Sequence, residues 1–546
     1  MELRERIAGL MPQAQQELSE LVAIRSVADP RQFPPEECAA AAQWVLGKFK
    51  ELGFSDIHLA ETADGSQAVV GSRPGPTAAP TVLLYSHYDV QPPLDESAWR
   101  TPPFQLTEVD GRWYGRGAAD CKGNIVAHLM ALRALGDDIP VNLKMVFEGS
   151  EEQGTGGLED FVPKNADLLR ADAILVCDTG NAAVGHPAAT VSLRGLVNVV
   201  VTVQALESEM HSGMFGGAAP DALAALVAML ATLRDDRGNT TIRGLDSTQT
   251  WTGAEYPPEQ FRDDAGVLDG VSLLGDGTVS DMLWARAAIT ILGIDCPPVL
   301  GSTPAIVPRT AARLNLRIPP GMAPDQAYQA LVDHLEAVAP WGVHVTVDLE
   351  ADGAPFEAAV GGPAYDAISS AMNDAFGRPM TTLGQGGSIP LCNVFDETFP
   401  DAELIMMGVE EPAALIHAPN ESVAPSEIQS MALAEALFMQ RYATAKNRQP
   451  TGLPDSWSSV FPTHPCHDEC RRGWQCVRVG GRSRGRVVHS SFGRTVACHD
   501  KGHEDSDEAK GRHHPRRQCQ AGRKSLRRCL ACCGPVCRYR GVDRRC

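Results

Sequence analysis

Short apolar runs that alternate with helical patterns are the feature that most limits the folds open to this chain. Three such runs, at residues 81–85, 141–147 and 173–177, have the length and composition of buried strands. Helical periodicity occupies residues 35–52, where Gly53 ends it, and runs from Asp120 to about Leu135. This alternation predicts an α/β fold in which helices cover both faces of a sheet.

Histidine and acidic residues stand at the ends of these runs. His87 follows the first run, Glu151 and Glu152 follow the second, and Asp178 follows the third. In open α/β sheets, ligands bind beyond the carboxyl ends of the strands. The positions therefore predict that these side chains lie together at a functional site.

The residue types at these positions suit a metal centre. Zinc is bound in proteins by histidine and carboxylate side chains, and two neighbouring cations need a carboxylate that bridges them. Metal binding lowers the pKa of water from about 15.7 toward about 7, which supplies hydroxide at neutral pH. If one ligand bridges, five protein ligands leave each ion an open position for a shared water. The candidate ligands are His87, Asp120, Glu152, Asp178 and His417.

Two further carboxylates have expected roles beside the metals. Asp89 projects from the same side of an extended strand as His87, so it could accept a hydrogen bond from the second ring nitrogen of that histidine. Glu151 remains as the general base that takes a proton from the bridging water. Each residue alone would also fit a surface charge or a helix cap. Their joint occurrence at strand ends favours the metal site.

Composition and charge limit the class of protein and its location. The chain has 546 residues, of which 43% are hydrophobic and 21% charged, enough for two or three domains with a large core. Its net charge of −20 argues against a nucleic-acid-binding body. Five widely spaced cysteines before residue 447 predict reduced thiols and a cytoplasmic location. No signal-peptide pattern is visible, and no apolar run is long enough to predict a membrane span.

The pattern changes along the chain predict three regions. Residues 1–189 and 356–446 form a catalytic domain, and 190–355 form an inserted domain of strands and helices. Residues 447–546 are rich in Arg, Gly, His and Cys, and we expect them to be disordered or an aberrant extension, for instance an out-of-frame read-through. The alternatives for this tail are a zinc module, suggested by its CxxC-like spacings, and a basic segment that binds nucleic acid.

As a set, the motifs resemble a di-zinc metallopeptidase family that includes carnosinases, bacterial dipeptidases, aminoacylases, acetylornithine deacetylase and succinyl-diaminopimelate desuccinylase. The resemblance covers about residues 1–445 and is closest to the carnosinase-like dipeptidases. The residues that carry it are the segment 87–92, the segment 115–123, Glu151-Glu152, Asp178-Thr179-Gly180, Arg194-Gly195, His211-Ser212-Gly213, Gly386-Gly387-Ser388 and His417.

The resemblance implies a zinc-peptidase-like catalytic domain with a mixed sheet flanked by helices. It also implies that the inserted α+β domain acts as a lid and forms a homodimer. Each subunit would bind two Zn²⁺, with Mn²⁺ or Co²⁺ as the other candidates. Asp120 would bridge the ions, with His87 and Asp178 completing one site and Glu152 and His417 the other.

The resemblance also implies contacts to a small peptide substrate. His211 would reach into the active site of the partner subunit and stabilise the oxyanion. Arg317, together with Gly387 and Ser388, would hold the substrate carboxylate. Cys121, at a position where the family usually has Asp or Met, is not expected to bind metal.

The expected reaction is zinc-dependent hydrolysis of the amide bond of dipeptides by a metal-bridging hydroxide, with Glu151 as the base. One alternative is an N-acyl-amino-acid deacylase that uses the same machinery. The other is a non-catalytic family member that acts as a binding or scaffold protein, although no ligand or base is missing here. We expect no membrane or nucleic-acid partner.

Overall fold

The computed structural model describes residues 2–446. The predictions for the tail at 447–546, namely disorder, a read-through, a zinc module or nucleic-acid binding, concern residues outside this range. The α-helices among the described residues are α1 (Leu3–Ala23), α2 (Pro35–Glu51), α3 (Lys122–Leu135), α4 (Gly157–Lys164), α5 (Ala166–Leu169), α6 (Ser212–Phe215), α7 (Ala222–Ala231), α8 (Pro258–Asp264), α9 (Pro324–Val338), α10 (Pro363–Phe376), α11 (Pro390–Thr398) and α12 (Pro425–Lys446).

The strands follow the apolar runs of the sequence. They are β1 (His58–Glu61), β2 (Gln67–Arg73), β3 (Thr81–His87), β4 (Thr107–Val109), β5 (Arg112–Tyr114), β6 (Asn142–Glu148), β7 (Ala173–Cys177), β8 (Ala188–Leu193), β9 (Gly195–Gln204), β10 (Met210–His211), β11 (Ala288–Ile294), β12 (Ala305–Ile306), β13 (Arg309–Ile318), β14 (His344–Gly353), β15 (Phe356–Glu357), β16 (Thr381–Gln385), β17 (Glu403–Met407) and β18 (Ser422–Val423).

Local sequence signals fix several helix ends. Helix α2 starts with Pro35, whose fixed φ suits the first turn. It ends just before Gly53, which has a φ of +85° that few other residues adopt readily. Asp221 caps α7, because its carboxylate accepts the backbone N–H of Leu223 at 2.9 Å. The helix that periodicity predicted at residues 35–52 is therefore present.

The largest sheet is mixed, and its centre is parallel. Its strands lie in the order β1-β2-β6-β3-β7-β17-β8-β15, with β16 beside β8. Strands β6, β3, β7 and β17 run parallel to their neighbours within this group. Strands β1 and β2 at one side and β8 and β15 at the other pair antiparallel. The carboxyl ends of the four central strands therefore meet at one edge of the sheet.

Both faces of this sheet are covered by helices. Along β3, Val82 and Leu84 face one apolar core, which is closed by α1, α2, α3, α10 and α12. The alternate residues Leu83 and Tyr85 face a second core beneath α4, α5 and α11. Burial on both faces explains why the central strands are continuous apolar runs instead of alternating ones. The prediction of a mixed sheet flanked by helices is confirmed.

A second sheet is built by residues of the inserted region. It is antiparallel, in the order β11-β13-β9-β14, and it packs one face on α7 and α9 around a separate core. Strand β8 pairs within the large sheet, so the predicted boundary between residues 189 and 190 falls inside that strand. The wider division into catalytic and inserted domains stays a prediction.

No helix among the described residues is both long enough and apolar enough to cross a membrane.

Candidate active site

The side chains expected at the metal centre lie at the edge where the central parallel strands end. His87 is the last residue of β3, and Asp178 directly follows β7. Beyond β6, Glu151 and Glu152 begin a 3-10 turn that ends at Gln153. Asp120 lies just before α3, and its Oδ1 is 3.0 Å from Nε2 of His87. The topology thus brings together residues that are far apart in the sequence.

Asp120 lies between two histidine–carboxylate pairs. Nε2 of His87 is 3.0 Å from Oδ1 of Asp120 and 3.0 Å from Oδ1 of Asp178. Nε2 of His417 is 2.9 Å from Oδ2 of Asp120 and 3.1 Å from Oε2 of Glu152. Each oxygen of Asp120 therefore faces a different histidine, which is the geometry that a carboxylate bridging two cations requires.

The donor set fits divalent transition metals. Ligand atoms of His87, Asp120 and Glu152 lie within 4.8 Å of one another, as do those of His87, Cys121 and Asp178. Imidazole and carboxylate donors in such groups suit zinc, manganese or cobalt. Cys121 donates its thiol to the carbonyl oxygen of Cys177 at 2.8 Å, and burial raises its pKa well above the usual value. Its neutral thiol already has a partner, which agrees with the expectation that it does not bind metal.

The charges of the cluster stabilise positive groups. Burial opposes the charged form of His417, but Asp120 and Glu152 raise its pKa to about 11. Burial alone would raise the pKa of Asp120, yet hydrogen bonds from the two histidines bring it well below its usual range. Carboxylates that hold imidazolium charges in this way are equally able to hold divalent cations.

Asp89 orients both His87 and the turn that carries the glutamates. Its carboxylate accepts the backbone N–H groups of Glu151 and Glu152 at 3.2 and 3.1 Å. Nδ1 of His87 lies 3.1 Å from the carbonyl oxygen of Asp89 and 3.4 Å from its carboxylate. The histidine therefore contacts the backbone oxygen more closely than the expected carboxylate, because the carboxylate is engaged by the turn.

Glu151 is enclosed by the other acids of the site. Burial, followed by the negative charge of Asp178, raises its pKa well above the usual value, although His87 opposes the rise. Divalent cations between these carboxylates would oppose the rise further, since opposite charges favour the ionised form. Such an environment brings the pKa of a glutamate toward the range in which a general base works.

The structure adds a buried carboxylate, Glu421, that sequence patterns did not reveal. Glu421 accepts hydrogen bonds from Nη1 of Arg116 at 2.7 Å and from the N–H of Gly117 at 3.0 Å. It also accepts the N–H groups of Ala119 and Asp120, both at 3.1 Å. Glu421 thus fixes the loop that positions the bridging aspartate. A single Asn-Glu pair in the sequence carries no signal for such a role.

Replacement of Glu421 by glutamine should therefore weaken both the fold and the metal centre. The change leaves the buried Arg116 without its counter-charge, so we expect the free energy of unfolding to fall by about 3–5 kcal/mol. Loss of a group that orients a ligand should weaken metal affinity about 10- to 100-fold. Urea unfolding and chelator competition measure the two effects. The exposed Glu61→Gln variant is the control, with a change of about 0.5 kcal/mol or less; equal results for both variants would contradict the role.

The residues expected to hold the substrate carboxylate lie around a buried arginine. The pKa of Arg194 is lowered to about 10, first by burial and then by the positive charge of Arg317, which lies nearby on β13. A side chain on Gly386 would come within 2.9 Å of Nη2 of Arg194. Nε and Nη1 of Arg194 have no hydrogen-bond partner within residues 2–446. Two positive charges therefore lie near the segment that contains Gly387 and Ser388.

His211 does not join the cluster within this chain. It lies on the short strand β10, its ring is exposed, and its Nδ1 accepts the N–H of Gly213 at 3.1 Å. It makes no ion pair with a carboxylate in the described part of the chain. The expected role of His211 in a partner subunit therefore stays a prediction.

A cavity of about 880 Å³ adjoins the cluster. Apolar side chains such as Trp284 and Ile416 form much of its wall, and Gly180 and Gly386 lie along it. It also contains Glu410, a second carboxylate that the sequence analysis missed. The space is sufficient for a small peptide next to the metal ligands.

Comparison with known proteins identifies the family. A sequence model of "Peptidase family M20/M25/M40" matches residues 83–441, a span that contains the whole cluster. The chain belongs to this peptidase family. The predicted resemblance and the prediction of a peptidase are therefore confirmed.

Relatives in the family share most of the chain. A cysteinylglycine-S-conjugate dipeptidase of Corynebacterium striatum is 43% identical over 435 residues, which are 78% of this chain and 95% of that protein. The crystal structure of human carnosine dipeptidase 1 has a TM-score of 0.68 and 26% identity, and it covers 81% of this chain and 98% of its own. The structure of a dipeptidase of Saccharomyces cerevisiae also has a TM-score of 0.68, at 23% identity. It covers 81% of this chain and 98% of its own.

Proposed function

We propose that this member of the peptidase family is a dipeptidase that uses two zinc ions, with manganese or cobalt as possible substitutes. The observation that carries the proposal is the position of Asp120, whose two oxygens face separate histidine–carboxylate pairs. A 43% identical relative that is named a dipeptidase supports the substrate class.

In this proposal His87 and Asp178 would hold one cation, Glu152 and His417 would hold the other, and Asp120 would be shared by both. Cations bound there would supply Lewis-acid chemistry that activates water and polarises a carbonyl group. Glu151 takes the proton of the attacking water and delivers it to the leaving amine. Asp89 keeps His87 and the glutamate turn in place through the contacts described above.

The peptide's own carboxylate would bind beside the arginines. Arg317 and the donors of Gly387 and Ser388 are the proposed contacts. Arg194, whose Nε and Nη1 have no hydrogen-bond partner within residues 2–446, adds a second positive charge there. Such an anchor would select peptides whose free carboxylate lies near the scissile bond, which suits a dipeptide.

We also propose a homodimer formed through the second sheet. Strand β11 is an edge strand, and its apolar residues Ile291, Leu292 and Ile294 are exposed. Pairing of this edge with a second copy would bury them and bring His211 of one subunit toward the site of the other. A reducing, cytoplasmic location is proposed from the cysteine pattern alone.

A substrate panel tests the proposal. Metal-loaded full-length protein should hydrolyse dipeptides such as Cys-Gly, S-substituted Cys-Gly and β-Ala-His with a kcat/KM at least about 100-fold above that for N-acetyl- and N-succinyl-amino acids. The reverse preference would identify an N-acyl-amino-acid deacylase. Absence of turnover with every substrate, at full metal content, would favour the binding or scaffold role.

A further inference from the structure

Glu410 has no role in the reaction as described so far, although it lies at the metal centre. We propose that Glu410 binds the free α-amino group of the substrate and thereby selects peptides with an unblocked N-terminus. This inference rests on the proposed dipeptidase function and extends it to a named specificity residue.

The backbone fixes Glu410 beside the ligand Asp178. Glu410 follows β17, the strand next to β7, and forms a β-bridge with Gly180. Its carbonyl oxygen accepts the N–H of Asn181 at 2.8 Å. A Cβ atom on Gly180 would lie 2.6 Å from the Cβ of Glu410, so a glycine at position 180 is what allows this close approach. The carboxylate is therefore held at the site by its main chain.

The side chain of Glu410 is buried, and one of its two oxygens makes no hydrogen bond in the described part of the chain. The relative exposure of the residue is 5%, and the oxygen concerned is Oε1. The neighbouring Glu411 differs, because its carboxylate pairs with Arg112 and accepts the N–H of Ala413 at 2.8 Å. A buried carboxylate is costly when it has no partner, so the surroundings of Glu410 suit a positively charged ligand.

The charge of the site leaves room for such a ligand. Five carboxylates meet there, namely those of Asp120, Glu151, Glu152, Asp178 and Glu410. Two divalent cations can neutralise only four of these negative charges, since histidine ligands are neutral. An ammonium group would neutralise the fifth. The charged and titratable groups that face Glu410 are Asp120, Asp178, His87 and His417.

The position of Glu410 matches the chemistry of a dipeptide. Its carboxylate oxygen lies within 4.8 Å of ligand oxygens of Asp120 and Asp178, and the side chain also lines the cavity. In a dipeptide of α-amino acids, such as Leu-Gly, the α-amino group and the scissile carbonyl are attached to the same carbon, so both must bind within a few ångströms of each other. An N-acyl-amino acid has no ammonium group here and would leave the carboxylate unpaired. Glu410 therefore separates peptidase from deacylase specificity.

The experiment compares Leu-Gly with its desamino analogue, 4-methylpentanoyl-glycine, on wild type and Glu410→Gln. Wild type should favour Leu-Gly by about 100-fold in kcat/KM. The variant should lose about 30-fold on Leu-Gly, mainly through KM, and almost nothing on the desamino analogue, because only the charge-assisted contact is removed. Its metal content should equal that of wild type.

Two further variants separate a specific contact at Glu410 from a general loss of activity. Glu410→Asp should regain part of the preference, and Glu411→Gln should keep the full wild-type ratio. Loss of one metal ion in Glu410→Gln, or an equal loss on both substrates, would overturn the proposal, as would a wild type without preference for the free amine. A wild type that cleaves no dipeptide would instead refute the proposed function, so the two failures are distinguishable.

Discussion

Glu151→Gln should retain both metal ions yet lose about 10³- to 10⁴-fold in kcat. Glutamine has nearly the shape of glutamate, so the turn held by Asp89 and the neighbouring ligand Glu152 stay in place. It cannot accept a proton from water, however, and so the step that creates the nucleophile becomes slow. Steady-state kinetics on a dipeptide, with metal content measured on the same samples, test this expectation.

The matched control for this variant is Glu159→Gln. Glu159 lies on α4, shortly after the catalytic turn, and is outside the ligand cluster. Its kcat should stay within about twofold of the wild-type value. If Glu151→Gln keeps full activity, Glu151 is not the base. If the variant loses metal, Glu151 is a metal ligand instead.

His211→Ala should lower kcat by about 10²- to 10³-fold without changing metal content, if the ring stabilises the oxyanion from a partner subunit. The ring lies on the short strand β10 and is exposed, so its removal should leave the fold intact. The exposed His344→Ala variant on β14 is the control and should keep full activity.

Mixing the two inactive variants gives the sharpest result for the dimer. In a mixed dimer, one site combines an intact Glu151 with an intact His211 from the Glu151→Gln subunit. Random exchange of equal amounts should therefore restore about a quarter of the wild-type activity per site. If dimers exchange subunits and no activity returns, His211 does not act across the interface.

Strand ends were the most informative part of the sequence. Continuous apolar runs can only be buried strands or buried helices, and their short length favoured strands. Because parallel strands share an edge, the positions of His87 and Asp178 followed directly from their place after such runs. The same rule would have found Glu410 after the run at 404–407, had it been applied there.

Other features depend on contacts that no local pattern encodes. Glu421 matters because it meets the loop before Asp120, some 300 residues earlier in the chain. The place of β8 in the large sheet depends on pairing with β16 and β17, which lie far downstream. The proposed role of His211 depends on a second copy of the chain, and the sequence of one chain does not give the position of that copy.

The metal content of freshly prepared full-length protein tests the central claim most directly. Protein purified without chelators should contain about two divalent transition-metal ions per chain, as the two histidine–carboxylate pairs around Asp120 require. Asp120→Asn should lose most of both, because it weakens the bridge, whereas Asp178→Asn should weaken chiefly one. A wild type that binds no metal tightly, or an Asp120 variant that keeps both ions, would contradict the account.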